Sequence, residues 1–356
     1  MINTLRNKSL CLIIFIALTF TGFGEEKASE QVLQKIAFGA CASQNKPQPI
    51  WDTIVSHNPD LFLFIGDNIY GDTEDMAIMR RKYAQLKAKP GYQKLLETCP
   101  ILATWDDHDY GKNDGGAEYK MKRESAEEFL NFFDVPKESP RRKREGIYGS
   151  QIFGQDGKRV QVILLDTRYF RSTPLLKNNL SKAEKKKQNI VGWYLPHTDK
   201  NTTMLGQEQW AWLEKQLLKK ADVRIIASSI QFVSHEKGME CWGNLPHERQ
   251  ALFDLIGKTK ANGVVFISGD VHFSEISLDK SGPYPLYDFT SSGITNVSAK
   301  WSQAVNSYRV GKSYAKLNFG LITIDWNANK ISLETKSIKG KTTIQQDIDL
   351  DQLRVK

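Results

Sequence analysis

The sequence predicts an α/β fold in which helices cover sheets of mixed strand direction. Short apolar runs alternate with amphipathic stretches along most of the chain, the pattern of strands feeding crossover helices. The last part instead carries alternating β-rich segments joined by turn residues, as an antiparallel pair would. At 356 residues, 40% hydrophobic and 25% charged, the chain is apolar enough to bury a full core and is not disordered. No internal repeat or low-complexity linker interrupts it, so one domain is expected over residues 34–356.

Taken in order, residues 1–24 place Arg6 and Lys8 ahead of an apolar block from Leu10 to Phe20 and finish in small residues, the layout of a signal peptide. The block is too short for a comfortable membrane span, so cleavage near Gly22 to Gly24 and an exported protein, periplasmic or secreted, are expected, with no stable membrane anchor. Buried strands follow at Ile36 to Ala40, Leu61 to Ile65, Val160 to Leu165, Ile225 to Ser229 and Val264 to Ile267. Gln207 to Lys220 sets Trp210, Leu213 and Leu217 on one helical face behind Gly206. His247 to Ile256 repeats that pattern with Leu252, Leu255 and Ile256 after Pro246. Phe319 to Trp326 and Lys330 to Lys336, separated by Asn327 and Asn329, read as a hairpin.

The formal charge is +8, and losing Arg6 and Lys8 with the leader lowers it to +6. Such a balance suits anionic partners, phosphate esters among them, without choosing one. The basic runs KESPRRKR (Lys137 to Arg144) and KAEKKK (Lys182 to Lys187) read as solvated loop surface, and neither has the interleaved aromatics of a nucleic-acid platform. No nucleic-acid partner is therefore indicated, and a monomer is expected. Beyond the leader stand Cys41, Cys99 and Cys241, an odd number for a compartment in which thiols pair.

Four segments end an apolar run and at once present ionisable residues: FGACASQ (Phe38 to Gln44), FIGDNIYGD (Phe64 to Asp72), ILATWDDHDYGKND (Ile101 to Asp114) and FISGDVHFSE (Phe266 to Glu275). Strand ends are where α/β folds build sites. Gly66 permits a tight turn that sets Asp67 at the sheet edge to bridge cations, with Tyr70 returning to the same side. Asp106, Asp107, His108 and Asp109 crowd like charges that repel unless cations or hydrogen bonds neutralise them, and Asn113 adds a neutral oxygen. Asp109 and Asp114 are also explained by capping and turn chemistry. Asp270 and His272, two residues apart, share one side of an extended chain as a metal-ligand pair. Taken singly, each motif has a structural reading as a cap or a satisfied buried histidine. Four in one chain favour a shared metal site. Oxygen-rich donors with few histidines suit iron, calcium or manganese better than zinc.

With Asp166-Thr167-Arg168-Tyr169, Leu205 to Trp210 followed by Trp212-Leu213, and Cys241 to Asn244 ahead of His247-Glu248-Arg249, these segments resemble the PhoD-like alkaline phosphatase and phosphodiesterase family of the calcineurin-like metallophosphatases. The resemblance runs from Ile36 to the final strands, with departures at Ala40, Asn68 and Asn244. It implies a four-layer αββα sandwich of mixed sheets. It also implies Fe(3+) on Cys41, Asp67 and Tyr70, with Asp67 bridging to Ca(2+) near Asp107 and Asn113, while Asp270 and His272 complete the shell. Mn(2+) and Zn(2+) are the alternatives. Arg168 is expected on the phosphoryl group and His108 at the leaving oxygen or the transition state. A metal-bound Cys41 would leave Cys99 and Cys241 as the pair available for a disulfide.

The expected function is a secreted metal-dependent phosphoester hydrolase, a phosphomonoesterase or phosphodiesterase, acting through metal-activated water. A phospholipase C-like diesterase on lipid headgroups and a non-catalytic polyanion-binding protein of the same fold are the alternatives. No acid is missing from the GD, DDH or GDVH motifs, which weighs against the last. The pocket wall is expected from Pro174 to Asn201 and His235 to Asn244, with His197, His235 and Trp242 as candidate contacts.

Overall fold

In the computed structural model, which describes residues 29–355, the chain forms two mixed sheets. The leader expected over residues 1–24 lies outside the described residues. The strands are Lys35–Gly39 (β1), Leu61–Ile65 (β2), Ile101–Thr104 (β3), Gly149–Phe153 (β4), Val160–Leu164 (β5), Val223–Ala227 (β6), Val264–Ser268 (β7), Ser274–Asp279 (β8), Leu286–Ser291 (β9), Arg309–Tyr314 (β10), Asn318–Asp325 (β11), Lys330–Ser337 (β12) and Thr342–Asp349 (β13). One sheet runs β13-β12-β11-β1-β2-β3 and the other β10-β8-β9-β7-β6-β5-β4. In the first, β1, β2 and β3 are mutually parallel. In the second, β5, β6, β7 and β9 are parallel.

Every residue of β2 is buried, because both faces of that strand are covered, which is why it reads as an unbroken apolar run. In β1 the period of two separates the faces. Ile36 and Phe38 join the core between the sheets, while Ala37 joins the cluster beneath the helices of the first sheet. Phe38 meets Phe289 of β9 edge-on, ring centroids 4.9 Å apart, so the two sheets interlock at their centres. An aromatic pair of this geometry adds about 0.5–1.5 kcal/mol beyond its buried area. Helices Ile50–Ser56, Met76–Lys87, Pro90–Thr98 and Lys122–Phe132 cover the first sheet through Trp51, Met79, Leu95 and Phe129. Gly206–Leu217 and Pro246–Lys258 cover the second through Leu213, Leu217, Leu252 and Ile256. The result is the expected αββα order of layers, and the hairpin of β11 and β12 turns where Asn329 takes a positive φ of 53°.

Two expectations change. Cys99 and Cys241 are both free: Cys99 ends the helix Pro90–Thr98 on the outer side of the first sheet, and Cys241 opens a short 3-10 turn at Trp242–Asn244. They serve different layers and form no disulfide. The run Lys137 to Arg144 is not simply solvated loop. Arg141 is buried and donates to the carbonyls of Ala103 and Ile147, Arg142 donates to those of Leu130 and Val135, and Arg144 lies over the rings of Tyr148 and Trp212. The second run, Lys182 to Lys187, is exposed as expected, but as a helix capped by Ser181 and Glu184.

Candidate metal centre

The C-terminal ends of the parallel strands of both sheets converge, and the four segments meet there. Asp106, after β3, accepts a 2.7 Å bond from Ser229 Oγ, after β6, while Thr104 Oγ1 donates to Leu165 O at 2.7 Å, after β5. Cys41 Sγ, after β1, is 3.0 Å from Ser292 Oγ, after β9, and 3.4 Å from Asp67 Oδ2, after β2. Ser292 Oγ also accepts from the His272 N–H, after β7, at 3.0 Å.

The turns are tight. Gly66 has φ +116°, and a Cβ there would lie 2.6 Å from the Cβ of Asp106. Cys41, Asp67, Asp270 and His272 have φ of 62°, 51°, 66° and 59°. Four candidate ligands in the left-handed region, each at about 1–3 kcal/mol for a non-glycine residue, show the surrounding structure over-determining this backbone. The extended chain expected at Gly269 to His272 is thus replaced by a compact turn, in which the Val271 N–H donates to Gly269 O at 2.8 Å. Both side chains still reach the cleft.

That cleft, of about 320 Å³, is lined by Asp67, Asp107, His108, Asn113, Asp114, Glu240, Asp270 and His272, with Lys177, Trp193, Tyr194, Met239 and Trp301 at its wall. In and beneath it, ligand atoms lie within 4.8 Å of one another in the sets Cys41, Asp67, His272; Asp67, Asp107, His108; Asp106, Asp107, Asp270; and Asp107, Asp114, Glu240, with Cys41 and Asp106 fully buried. Tyr70 joins the first set, its hydroxyl 3.2 Å from His272 Nε2. Asn113 lines the cleft from the loop after His108.

Burial, and then the neighbouring Asp107, pushes the Asp67 carboxyl well above its usual range; burial, Asp106 and Asp107 do the same to Asp270. Burial also raises the Asp107 carboxyl, but Arg168 and His108 outweigh it and bring it to about 2. Burial opposes a charge on His108, yet Asp67, Asp72 and Asp107 outweigh it and raise it to about 11. Its Nδ1 sits 2.8 Å from Asp72 Oδ1, which holds the proton there and leaves Nε2 for chemistry. The Tyr70 ring packs 4.2 Å from it, centroid to centroid. His272, stacked on Trp301 at 5.0 Å, is pushed down to about 4 by burial and then by His108, and so stands neutral as a ligand must.

Cations fit this donor set. Asp106 Oδ2 is buried without a hydrogen-bond partner, and Asp107 repels both Asp67 and Asp270 in a buried space. Carboxylates with an amide and a phenol suit hard ions, and the thiol and imidazole of Cys41 and His272 favour a transition metal at their end.

Arg168 is the expected site residue whose placement differs. It is fully buried behind the acids, donating from Nε to Asp106 Oδ1 at 2.6 Å and from Nη1 to Glu240 Oε2 at 2.8 Å. With its fork engaged and no place in the cleft lining, it positions Asp106. The anticipated wall contacts also shift. Trp242 is buried on Ser228 Oγ, His235 turns to Val233 O and His197 to the Asp199 N–H, whereas Lys177, Trp193 and Tyr194 line the cleft.

Sequence reasoning missed Glu240, which lies in no strand-end motif, and Asp72, whose one signal was its place in FIGDNIYGD. Asp109 is a cap, but a buried one: its carboxylate accepts from the N–H groups of Asp67 at 3.1 Å and Asp106 at 2.7 Å and from Asn68 Nδ2 at 2.5 Å. One side chain thereby ties the second and third segments together.

The model of the PhoD-like phosphatase family matches residues 73–319. The chain belongs to that family. The matched range of the PhoD-like phosphatase model holds Asp107, His108, Asn113, Arg168, Asp270 and His272, and the fold brings Cys41, Asp67 and Tyr70 to them from outside it. The chain is 24% identical to alkaline phosphatase D of Bacillus subtilis (strain 168) over 213 residues, which are 55% of this chain and 35% of that protein. The match therefore spans little more than a third of the relative's length. The solved structure of PhoD superposes with a TM-score of 0.69 at 18% identity, covering 92% of this chain and 72% of the other. A crystal structure of a dimetal phosphatase from Danio rerio covers 90% of this chain at 12% identity, with a TM-score of 0.49.

Proposed function

We propose that this PhoD-like phosphatase is an exported, metal-dependent phosphoester hydrolase that uses water as its nucleophile. One observation carries the reading: Asp67, Asp107, Asp270 and His272 line one open cleft, and Cys41, buried beneath it, brings its sulfur to Asp67 and His272, so that four separate strand ends supply ligand atoms to one place. Cys41, Asp67, Tyr70 and His272 would hold a ferric ion, and Asp67, Asp107, Asn113 and Asp270 would hold calcium. When bound, the cations supply Lewis acidity to the phosphoryl oxygens and lower the pKa of water.

The chain's own groups do the rest. Asp72 fixes the His108 ring so that Nε2 can give a proton to the leaving alkoxide. Arg168 holds Asp106 against Glu240, which fixes the third segment. The phosphodiesterase reading is favoured over the monoesterase one by the cleft wall of Trp193, Met239 and Trp301, which offers apolar surface for a second ester group. Export rests on the residues 1–24 pattern.

The test assays the mature protein on p-nitrophenyl phosphate and bis-p-nitrophenyl phosphate, with and without chelator, while bound iron and calcium are measured. Asp67→Asn is the matched variant, since asparagine tolerates the φ of 51° and changes only the charge. A folded, metal-free Asp67→Asn protein with full activity would refute the assignment.

A further inference from the structure

The insertion between Pro174 and Asn201 carries an exposed surface, most of which lies outside the cleft. Its two ends pair as a short ribbon: Lys177 bridges Tyr194, Leu195 N–H donates to Leu176 O at 2.9 Å, and Asn178 N–H donates to Trp193 O at 2.6 Å. Side chains alternate across such a ribbon, so Tyr194 faces one way, where its hydroxyl donates to Asp114 beside the cleft. Leu176, Trp193 and Leu195 alternate with it and are 40%, 50% and 43% exposed, the two leucines outside the cleft and Trp193 at its edge. Half of the large hydrophobics exposed among the described residues thus sit on this one ribbon, and Val297 adds a fourth beside His272, whose carbonyl accepts from Ser298 N–H at 2.7 Å.

Between the ribbon ends, Lys182–Gln188 is a helix with a complete capping box that buries none of its side chains. Tertiary packing therefore gives no reason for this helix. The insertion holds Lys177, Lys182, Lys185, Lys186, Lys187 and Lys200 against Glu184 and Asp199, and Lys185 Nζ stands 5.4 Å over the Trp193 ring. Apolar tips ringed by lysines, with an exposed tryptophan at the edge, are the chemistry of an interface with anionic lipid.

We propose that this ribbon and helix dock on an anionic bilayer surface and present the mouth of the cleft to it. The patch adjoins that mouth, since Trp193 and Lys177 of the same ribbon line the cleft. Binding of this kind rests on the surface alone and is independent of the hydrolase reading.

The experiment is co-sedimentation of the full mature chain with vesicles of phosphatidylglycerol and phosphatidylcholine, against vesicles of phosphatidylcholine alone. Binding is expected only to the first and is expected to weaken with salt. Leu176→Ser with Leu195→Ser, and separately Lys182→Glu, Lys186→Glu and Lys187→Glu, should each weaken it by roughly tenfold or more. Melting temperature and bound metal should stay near the parent's values, because none of these residues is buried in the core or stands among the candidate ligands. No binding to the anionic vesicles overturns the proposal. So does retention of binding in the leucine variant, which would leave a charge-only attraction to any polyanion. A concentration-dependent dimer that the leucine variant abolishes would assign the patch to a second copy of the chain and overturn it equally.

Discussion

Asp109 offers the sharpest test of how the site is assembled. Its Oδ1 accepts from the N–H of Asp67 at 3.1 Å and of Asp106 at 2.7 Å, and all three residues are buried. Asp109→Ala strips both donors of their partner, and each bond to a charged acceptor contributes about 1.5–3 kcal/mol, so the gross loss is about 3–6 kcal/mol. Part of this is offset, because burial already pushes the Asp109 carboxyl well above its usual range, and a disfavoured charge leaves with it. The net expectation is about 2–4 kcal/mol, a large share of the roughly 5–15 kcal/mol by which domains are stable. Asp109→Asn keeps Oδ1 for both N–H groups but turns an amide toward Asn68 Nδ2, now 2.5 Å from Oδ2, so it should lose about 1–2 kcal/mol. Urea unfolding of the chelated proteins measures both. An Asp109→Ala midpoint equal to the parent's, or an Asp109→Asn protein less stable than Asp109→Ala, refutes the account.

Three further outcomes follow from the same geometry. Arg168→Met leaves Asp106 buried without its cation and Glu240 with Arg171 alone, and should destabilise by about 3–5 kcal/mol, read from the urea midpoint, while Arg168→Lys recovers part of the loss. Chelated protein should melt at falling temperature as pH rises from 5 to 8. Asp67 and Asp270 are held above the usual range by burial, and Glu240 is held at about 7 by burial against Arg168 and Arg171, so each adds stability below its unfolded pKa that disappears as pH climbs through the folded one. His272, at about 4, acts oppositely below pH 6.5 but is outnumbered, and loading with metal should abolish the decline. Finally, Cys41, Cys99 and Cys241 should all titrate with a thiol reagent in denaturant without reductant, and a Cys99–Cys241 disulfide by mass spectrometry would contradict the layering.

Much of the site was legible because its residues stand beside local signals. An apolar run marks a strand, a glycine such as Gly66 marks the turn after it, and the acid that follows must lie at the strand end, wherever that strand pairs. Asp67, Asp107, Asp270 and His272 needed nothing more to become candidates. Pairing of the strands is a non-local matter. Only the parallel order β1-β2-β3 in one sheet and β9-β7-β6-β5 in the other sets Cys41 against Ser292 and Asp106 against Ser229.

The roles of the charged side chains divide in the same way. Composition and spacing determined that acids, a thiol and a few histidines would gather at strand ends, and that helices would cover mixed sheets. The tertiary structure alone decided that Arg168 turns inward to Asp106 and Glu240, that Asp109 is a buried clamp, that Cys99 and Cys241 lie in separate layers, and that Trp193 and Lys177 form the wall. The physical reason is range. Hydrophobic period and turn chemistry act over a few residues of chain, whereas the partner of a buried charge is set by whatever the packing of distant segments leaves within about 3 Å of it.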